Sequence, residues 1–198
     1  HEIALAGSMQ TPGCVLIAGT GSICYGKNAA GEHFRCGGGG HIIDDPGSGY
    51  ALGRDALAAA LQTEDGRLSE NALHGAVMDT VGGSGIQGIF DFVYFSRRGK
   101  GDIAALAPLV LRCAAQGDAV SLDILRRGAA ELARLVSAVM GKLGLENGSP
   151  CALAGGLLAE DNVYRRAVCA ALAPFCRPAA PEHDALFGAG QLALAAVQ

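Results

Sequence analysis

The first part of the chain alternates short apolar runs with polar or glycine-rich turns. The run from Cys14 to Ala18 contains β-branched residues and predicts a buried strand. Two further strands are predicted, over 22–26 and 33–36, with the polar loop 28–32 between them. Successive strands joined by such short turns pair antiparallel. The pattern therefore predicts a three-stranded meander.

Apolar residues at helical spacing dominate the rest of the chain. The segments predicted as helices are 3–9, 50–62, 69–81, 103–115 with Asp102 as its N-cap, 119–143, 164–172 and 186–197. Residues 90–95 fit a helix or loop slightly better than a strand. A further buried strand is expected over 151–154, followed by a turn and a helix that begins near Leu157 or Leu158. Residues 178–181 are predicted as a loop.

Strands and helices in this order indicate one α/β domain over residues 1–198, with an antiparallel meander in a central mixed sheet that helices flank. Half of the 198 residues are hydrophobic and 17% are charged, which suits a well-buried core and argues against disorder. Because the chain opens on His1 rather than Met, we expect a fragment or a processed product.

Charge and cysteine usage narrow the function classes. The net charge is -4 with no basic run, so neither a nucleic acid nor an anionic membrane is an expected partner. No run of 18 uncharged apolar residues is present, so no membrane span is predicted. The seven cysteines show no CxxC pair and no zinc-type spacing, which predicts no metal site and a reduced, cytoplasmic setting.

Two glycine-rich turns in succession carry the candidate chemistry. The first is the Gly-Thr-Gly-Ser turn at 19–22, where glycines let backbone N–H groups approach an anion such as phosphate. The second spans 37–40 and leads to Asp44 and Asp45. Together they indicate a site for a phosphate donor and a polar acceptor. Each also has a plainer interpretation: a hairpin turn for the first, a loop for the second, and a turn or N-cap carboxylate for the aspartates.

His41 and the Gly155-Gly156 pair are weaker indications of a ligand site. His41 could bond a ligand, although a structural histidine bonded to the backbone is the commoner case. Gly155-Gly156 falls between a strand and a predicted helix, where it could admit a nucleotide base or phosphate, or form a simple strand–helix turn.

Three segments, 15–22, 37–50 and 154–157, together resemble the N-acetylglucosamine kinase family. That family falls within the BadF/BadG/BcrA/BcrD ATPases of the actin-like, sugar-kinase and Hsp70 superfamily. The resemblance covers the whole chain and implies a ribonuclease H-like fold forming the C-terminal lobe of a two-lobed kinase. It also implies a missing N-terminal lobe and a homodimer.

The resemblance implies ATP with Mg²⁺ and an amino sugar such as N-acetylglucosamine or glucosamine, phosphorylated at the 6-hydroxyl. The residues implied for ATP are Gly19, Thr20, Gly21, Ala104, Gly155 and Gly156. The residues implied for the sugar are Ser22, Gly38, Gly39 and Asp45. The family's general base, an aspartate, would fall just before His1, so no catalytic residue and no metal ligand is expected in the chain, and this lobe alone is expected to be inactive.

This sequence departs from the family pattern at two positions. Gly39 stands where the family usually has tryptophan, and Pro46 stands where it usually has glutamate. Two alternatives to the kinase therefore stay open. One is an ATPase activator of a 2-hydroxyacyl-CoA dehydratase or benzoyl-CoA reductase, for which Cys36 is the single cysteine near a loop. The other is a non-catalytic sugar-sensing module.

Overall fold

A five-stranded mixed sheet forms the centre of the computed structural model, which describes residues 12–82, 84–95, 97–183 and 185–195. The strands are β1 (Gly13–Ala18), β2 (Ser22–Lys27), β3 (His33–Gly37), β4 (Ser149–Ala154) and β5 (Cys176–Ala179). Their order across the sheet is β3-β2-β1-β4-β5. The predicted meander is confirmed, because β1 pairs antiparallel with β2, and β2 with β3.

The other half of the sheet is parallel. β4 pairs with β1, with Cys14 opposite Cys151, and β5 pairs with β4. The loop predicted over 178–181 is wrong in its first part, since Pro178 and Ala179 end β5. Proline cannot donate to a sheet, but β5 is an edge strand and needs no donor on its outer side.

Helices flank the sheet, as predicted. The described helices are α1 (Gly49–Glu64), α2 (Ala72–Val81), α3 (Gly85–Phe90), α4 (Lys100–Ala104), α5 (Ala107–Ala115), α6 (Ala119–Leu143), α7 (Val163–Leu172) and α8 (Ala185–Ala195). A π-helical turn over Asp91–Phe95 follows α3, so the helical interpretation of 90–95 is confirmed. The predicted helix 3–9 and the last residues of 186–197 lie outside the described residues.

Two predicted helix starts are wrong. The helix predicted over 103–115 is two helices, α4 and α5, because Pro108 sits in the first turn of α5, where proline begins a helix. Asp102 is no N-cap; it lies in the first turn of α4 and accepts the Gly99 N–H at 2.8 Å. No helix begins at 157 or 158, where the chain forms a turn. The helix predicted over 164–172 is confirmed as α7, which begins at Val163 and is capped by Asn162.

The main core lies between the sheet and α6, which contacts β1, β2 and β3. Leu16, Leu132, Val136 and Leu153 in this core are fully buried. β2 and α6 approach each other closely, since a Cβ added to Gly26 would lie 2.6 Å from the Val139 side chain. A chain without tryptophan, rich in alanine and glycine, thus packs by close backbone contact.

No single described helix is long and apolar enough to cross a membrane. The segments 100–115 and 119–143 reach that length and composition only as a pair, and they are bent by 118°.

Candidate functional site

The turn that follows β1 forms one wall of a cavity of about 470 Å³. Gly19 and Thr20 line it from the turn, Ala104 from α4, and Gly156 from the turn after β4. These four residues come from three separate segments, and all four were predicted to contact one nucleotide. A cavity of this size suits a nucleotide-sized ligand.

Backbone N–H groups in and next to this cavity lack partners in the described part of the chain. Among the described residues, the N–H groups of Thr20, Gly21 and Gly156 donate no hydrogen bond. Thr20 is also exposed. Clustered free amides in a glycine-rich turn favour an anion, so these amides are suited to phosphate oxygens.

Close backbone packing brings the two turns together. Gly155 has a φ of +90°, and a Cβ on it would overlap the carbonyl oxygen of Ala18. The same carbonyl accepts the N–H of Leu157 at 3.1 Å. Gly155 therefore joins the turn after β4 to the end of β1. Gly156 faces the cavity instead, and a Cβ added to it would meet no atom within 4 Å.

Asp45 lies beside the first turn in an unusual backbone conformation. Its φ of 56° makes it the one non-glycine residue with positive φ among the described residues. The side chain is 4% exposed, and Oδ1 accepts the N–H of Ser22 at 3.2 Å. A Cβ on Gly21 would lie 2.9 Å from Oδ2, so glycine is required there. The carboxylate thus sits directly against the turn that lines the cavity.

Hydroxyl groups hold the segment after Asp45. The Ser22 hydroxyl donates to the Pro46 carbonyl at 2.7 Å, and the Tyr164 hydroxyl donates to the Gly47 carbonyl at 2.6 Å. Tyr164 is fully buried, and burial raises the pKa of its phenol far above the ordinary value, so it stays a donor. Ser48 then caps α1 by accepting the Ala51 N–H.

The second glycine-rich turn lies apart from the cavity lining. Gly38 and Gly39 are exposed, and the Gly39 N–H donates to Asp44 at 2.8 Å. Asp44 and Asp45 hold different turns, as expected for adjacent carboxylates that face different ways. His41 packs edge-on against Tyr50, with ring centroids 4.7 Å apart, and this contact fits the structural interpretation of that histidine.

Sequence reasoning missed part of the cavity wall and the residue that supports Asp45. Gly49, Gly101, Ala105, Ala107 and Pro108 complete the lining with Leu157. No sequence signal distinguishes them, because small residues are common throughout this chain. Tyr164 lies 117 residues from Gly47, so the contact is invisible to any local pattern.

Within the described ranges, no group of three or more His, Cys, Asp or Glu side chains could hold a metal ion.

The mixed five-stranded sheet with its flanking helices gives an α/β protein of the actin-like ATPase fold class. The chain belongs to the BadF/BadG/BcrA/BcrD ATPase family, which it matches over residues 3–192.

Individual relatives are more specific. The chain is 42% identical over 147 residues to the N-acetylmuramic acid/N-acetylglucosamine kinase of Clostridium acetobutylicum, a match that covers 74% of this chain and 48% of that protein. It is 31% identical over 159 residues to the N-acetyl-D-glucosamine kinase of Dictyostelium discoideum, covering 79% and 48%. The chain thus spans about half the length of these relatives.

Solved structures agree on the fold. A candidate N-acetylglucosamine kinase from Chromobacterium violaceum superposes with a TM-score of 0.77 at 32% identity, covering 96% of this chain and 63% of that one. A Porphyromonas gingivalis protein of the same description gives 0.71 at 18% identity, which shows the fold alone. The predicted α/β, actin-like fold class is confirmed.

Proposed function

We propose that this chain is the C-terminal lobe of an ATP-dependent amino-sugar kinase. The observation that carries the proposal is the position of the Asp45 carboxylate against the first turn, where it accepts the Ser22 N–H at 3.2 Å. It sets a buried carboxylate, suited to sugar hydroxyls, directly against the turn whose free amides suit phosphate. A phosphoryl donor and a hydroxyl acceptor must meet in such a place.

On the nucleotide side, the cavity and the free amides in and next to it fit ATP. Ala104 and Gly156 are small enough to admit a flat base against the backbone. The free amides of Thr20 and Gly21 would bind phosphate oxygens. Gly19 shapes the turn, since its carbonyl accepts the Gly49 N–H at 2.7 Å and its own N–H is bonded to Gly21. Gly155 acts indirectly, by fixing where Gly156 lies.

On the sugar side, Asp45 is the main group. A carboxylate accepts hydrogen bonds from sugar hydroxyls strongly. Ser22 holds Asp45 in place, because its N–H donates to the Asp45 carboxylate and its hydroxyl donates to the Pro46 carbonyl. Gly38 and Gly39 would offer backbone to the sugar from the second turn. Gly39, in place of a tryptophan, leaves that side open.

The remaining parts of the reaction are proposed to come from outside this chain. Mg²⁺ would bridge phosphate oxygens and offset their charge. An aspartate preceding residue 1 would take the proton from the sugar 6-hydroxyl. A second lobe would close on both ligands and exclude water. A cytoplasmic location and a homodimer stay predictions of the same proposal.

The test is sugar-dependent ADP release by the whole protein with Mg-ATP. N-acetylglucosamine, glucosamine and N-acetylmuramic acid would be compared with a control that lacks sugar. ADP that depends on one of these sugars supports the proposal and names the acceptor. ADP release that no sugar stimulates contradicts it and favours an activator ATPase, and tight sugar binding without ADP favours a sensing module.

Two variants separate the two halves of the site. Asp45→Asn keeps the side-chain shape but removes the charge, and should raise KM for the sugar roughly tenfold or more with little change in KM for ATP. Gly156→Val fills the cavity and should raise KM for ATP about tenfold instead, since overpacking costs about 1–3 kcal/mol. Gly141→Val, at an open and exposed position on α6, is the matched control. If both site variants raised KM for the sugar and KM for ATP equally, the division into a sugar side and a nucleotide side would be contradicted.

A further inference from the structure

Each strand of the sheet carries one cysteine on the face that packs against the main core. They are Cys36 on β3, Cys24 on β2, Cys14 on β1, Cys151 on β4 and Cys176 on β5. We call these five residues the thiol row. The proposed phosphoryl transfer uses none of them.

Within the thiol row, Cys24 and Cys36 are direct antiparallel partners. Directly opposed residues share a face, and their Cα atoms lie about 4.5–5.5 Å apart. A disulfide needs a Cα separation of about 4.4–6.8 Å, and directly opposed residues fall within that range. Both cysteines are free thiols.

The two partners differ in access to solvent. Cys24 is fully buried, whereas Cys36 is half-buried on the edge strand β3. A small oxidant therefore meets Cys36 first. Cys24 lies behind it, where a second thiol must be if an oxidised first thiol is to be captured.

The next member of the row, Cys14, interacts with the thiol of Cys24. Hydrogen bonds from the thiols of Cys151 and Cys24 lower the pKa of Cys14, whereas burial raises the pKa of Cys24. Cys24 is thus held as a thiol and attacks only after Cys36 has been oxidised.

We propose that Cys24 and Cys36 are a site of reversible oxidation, at which hydrogen peroxide closes a disulfide between β2 and β3. Peroxide oxidises the Cys36 thiol to a sulfenic acid and leaves as water. The Cys24 sulfur then attacks the Cys36 sulfur, and the sulfenic oxygen leaves with the Cys24 proton as a second water. Two thiols and one peroxide thus give one disulfide and two waters.

The bond would join the two candidate site turns. β2 begins at Ser22, the last residue of the first turn, and β3 ends at Gly37, the first residue of the second turn. The disulfide would fix the spacing of these two strand ends. Because a small misplacement of reacting groups can cost up to about 10²-fold in rate, we expect oxidation to lower turnover roughly tenfold. This consequence rests on the proposed kinase function, whereas the oxidation itself does not.

The test uses the whole protein, reduced, freed of reductant and treated with hydrogen peroxide. Trypsin cuts after Lys27 and after Arg35, so the two cysteines fall on separate peptides that only a disulfide can join. Fragmentation between positions 14 and 24 identifies the bonded sulfur. We expect a linked peptide joining 24 to 36 that dithiothreitol separates.

Cys36→Ser should abolish the link and keep sugar-dependent ADP release during peroxide treatment. Cys169→Ser changes a cysteine of similar exposure on α7, outside the thiol row, and should behave like the parent protein. Cys36 oxidised to sulfinic acid without a link, or a link from Cys24 to Cys14 instead, would overturn the proposal. A correct link with unchanged ADP release would overturn its effect on turnover. A link in a protein without kinase activity would sustain the oxidation site while the proposed function fails.

Discussion

The hydroxyl of Tyr164 holds the Gly47 carbonyl, two residues after Asp45. Tyr164→Phe removes only that oxygen, keeping the ring in the core. The Gly47 carbonyl, which accepts it at 2.6 Å, then lies buried without its partner. Leaving one such group unsatisfied costs about 1–3 kcal/mol. No water can easily replace the oxygen, since Gly47 and Gly128 both close tightly around it.

The effect should appear locally as well as globally. Just after Gly47, the N–H of Ser48 is bonded to Asp45, that of Gly49 to Gly19, and that of Tyr50 to Thr20. If this free-energy cost falls on the segment after Gly47, opening of these hydrogen bonds becomes roughly 5- to 140-fold more frequent. Hydrogen exchange at these three amides measures it directly, and KM for the sugar should rise with it.

Tyr94→Phe is the matched control, because Tyr94 is 72% exposed and the same oxygen is lost there. That variant should leave exchange at residues 48–50 unchanged. Equal exchange in the Tyr164→Phe protein and its parent would refute the claim that this hydroxyl holds the turn. A uniform rise in exchange across α6 and the sheet would show a general loss of stability instead.

Two further variants test the close contacts of the site. Gly155→Ala should destabilise the fold by about 2–5 kcal/mol in urea unfolding, combining a positive-φ cost with an overlap on Ala18. Gly148→Ala, at φ +87° with open space around it, should cost only about 1–2 kcal/mol, and equal losses would contradict the overlap. Ser22→Ala should cost about 1–3 kcal/mol by freeing the Pro46 carbonyl, whereas Ser69→Ala at an exposed position should change the free energy of unfolding little.

The sequence alone predicted the elements whose cause is local. The meander follows from three short apolar runs with turns between them. α6 ends at Leu143, before Gly144, whose left-handed φ of 60° favours glycine. The turn after β1 was predicted for the same reason, since its glycines are adjacent in the chain. Ala104, which the resemblance implied, lies on the same cavity.

Tertiary structure decided whatever depends on residues distant in the chain. β5 exists because β4 offers it a parallel edge, which outweighs the proline within it. Tyr164 reaches Gly47 across 117 residues, and Cys14 meets Cys151 only through the pairing of β1 with β4. Such contacts join residues that are far apart in the chain, so no local periodicity predicts them. The sequence therefore predicted where the turns lie, and the packing of distant segments determined how those turns are held.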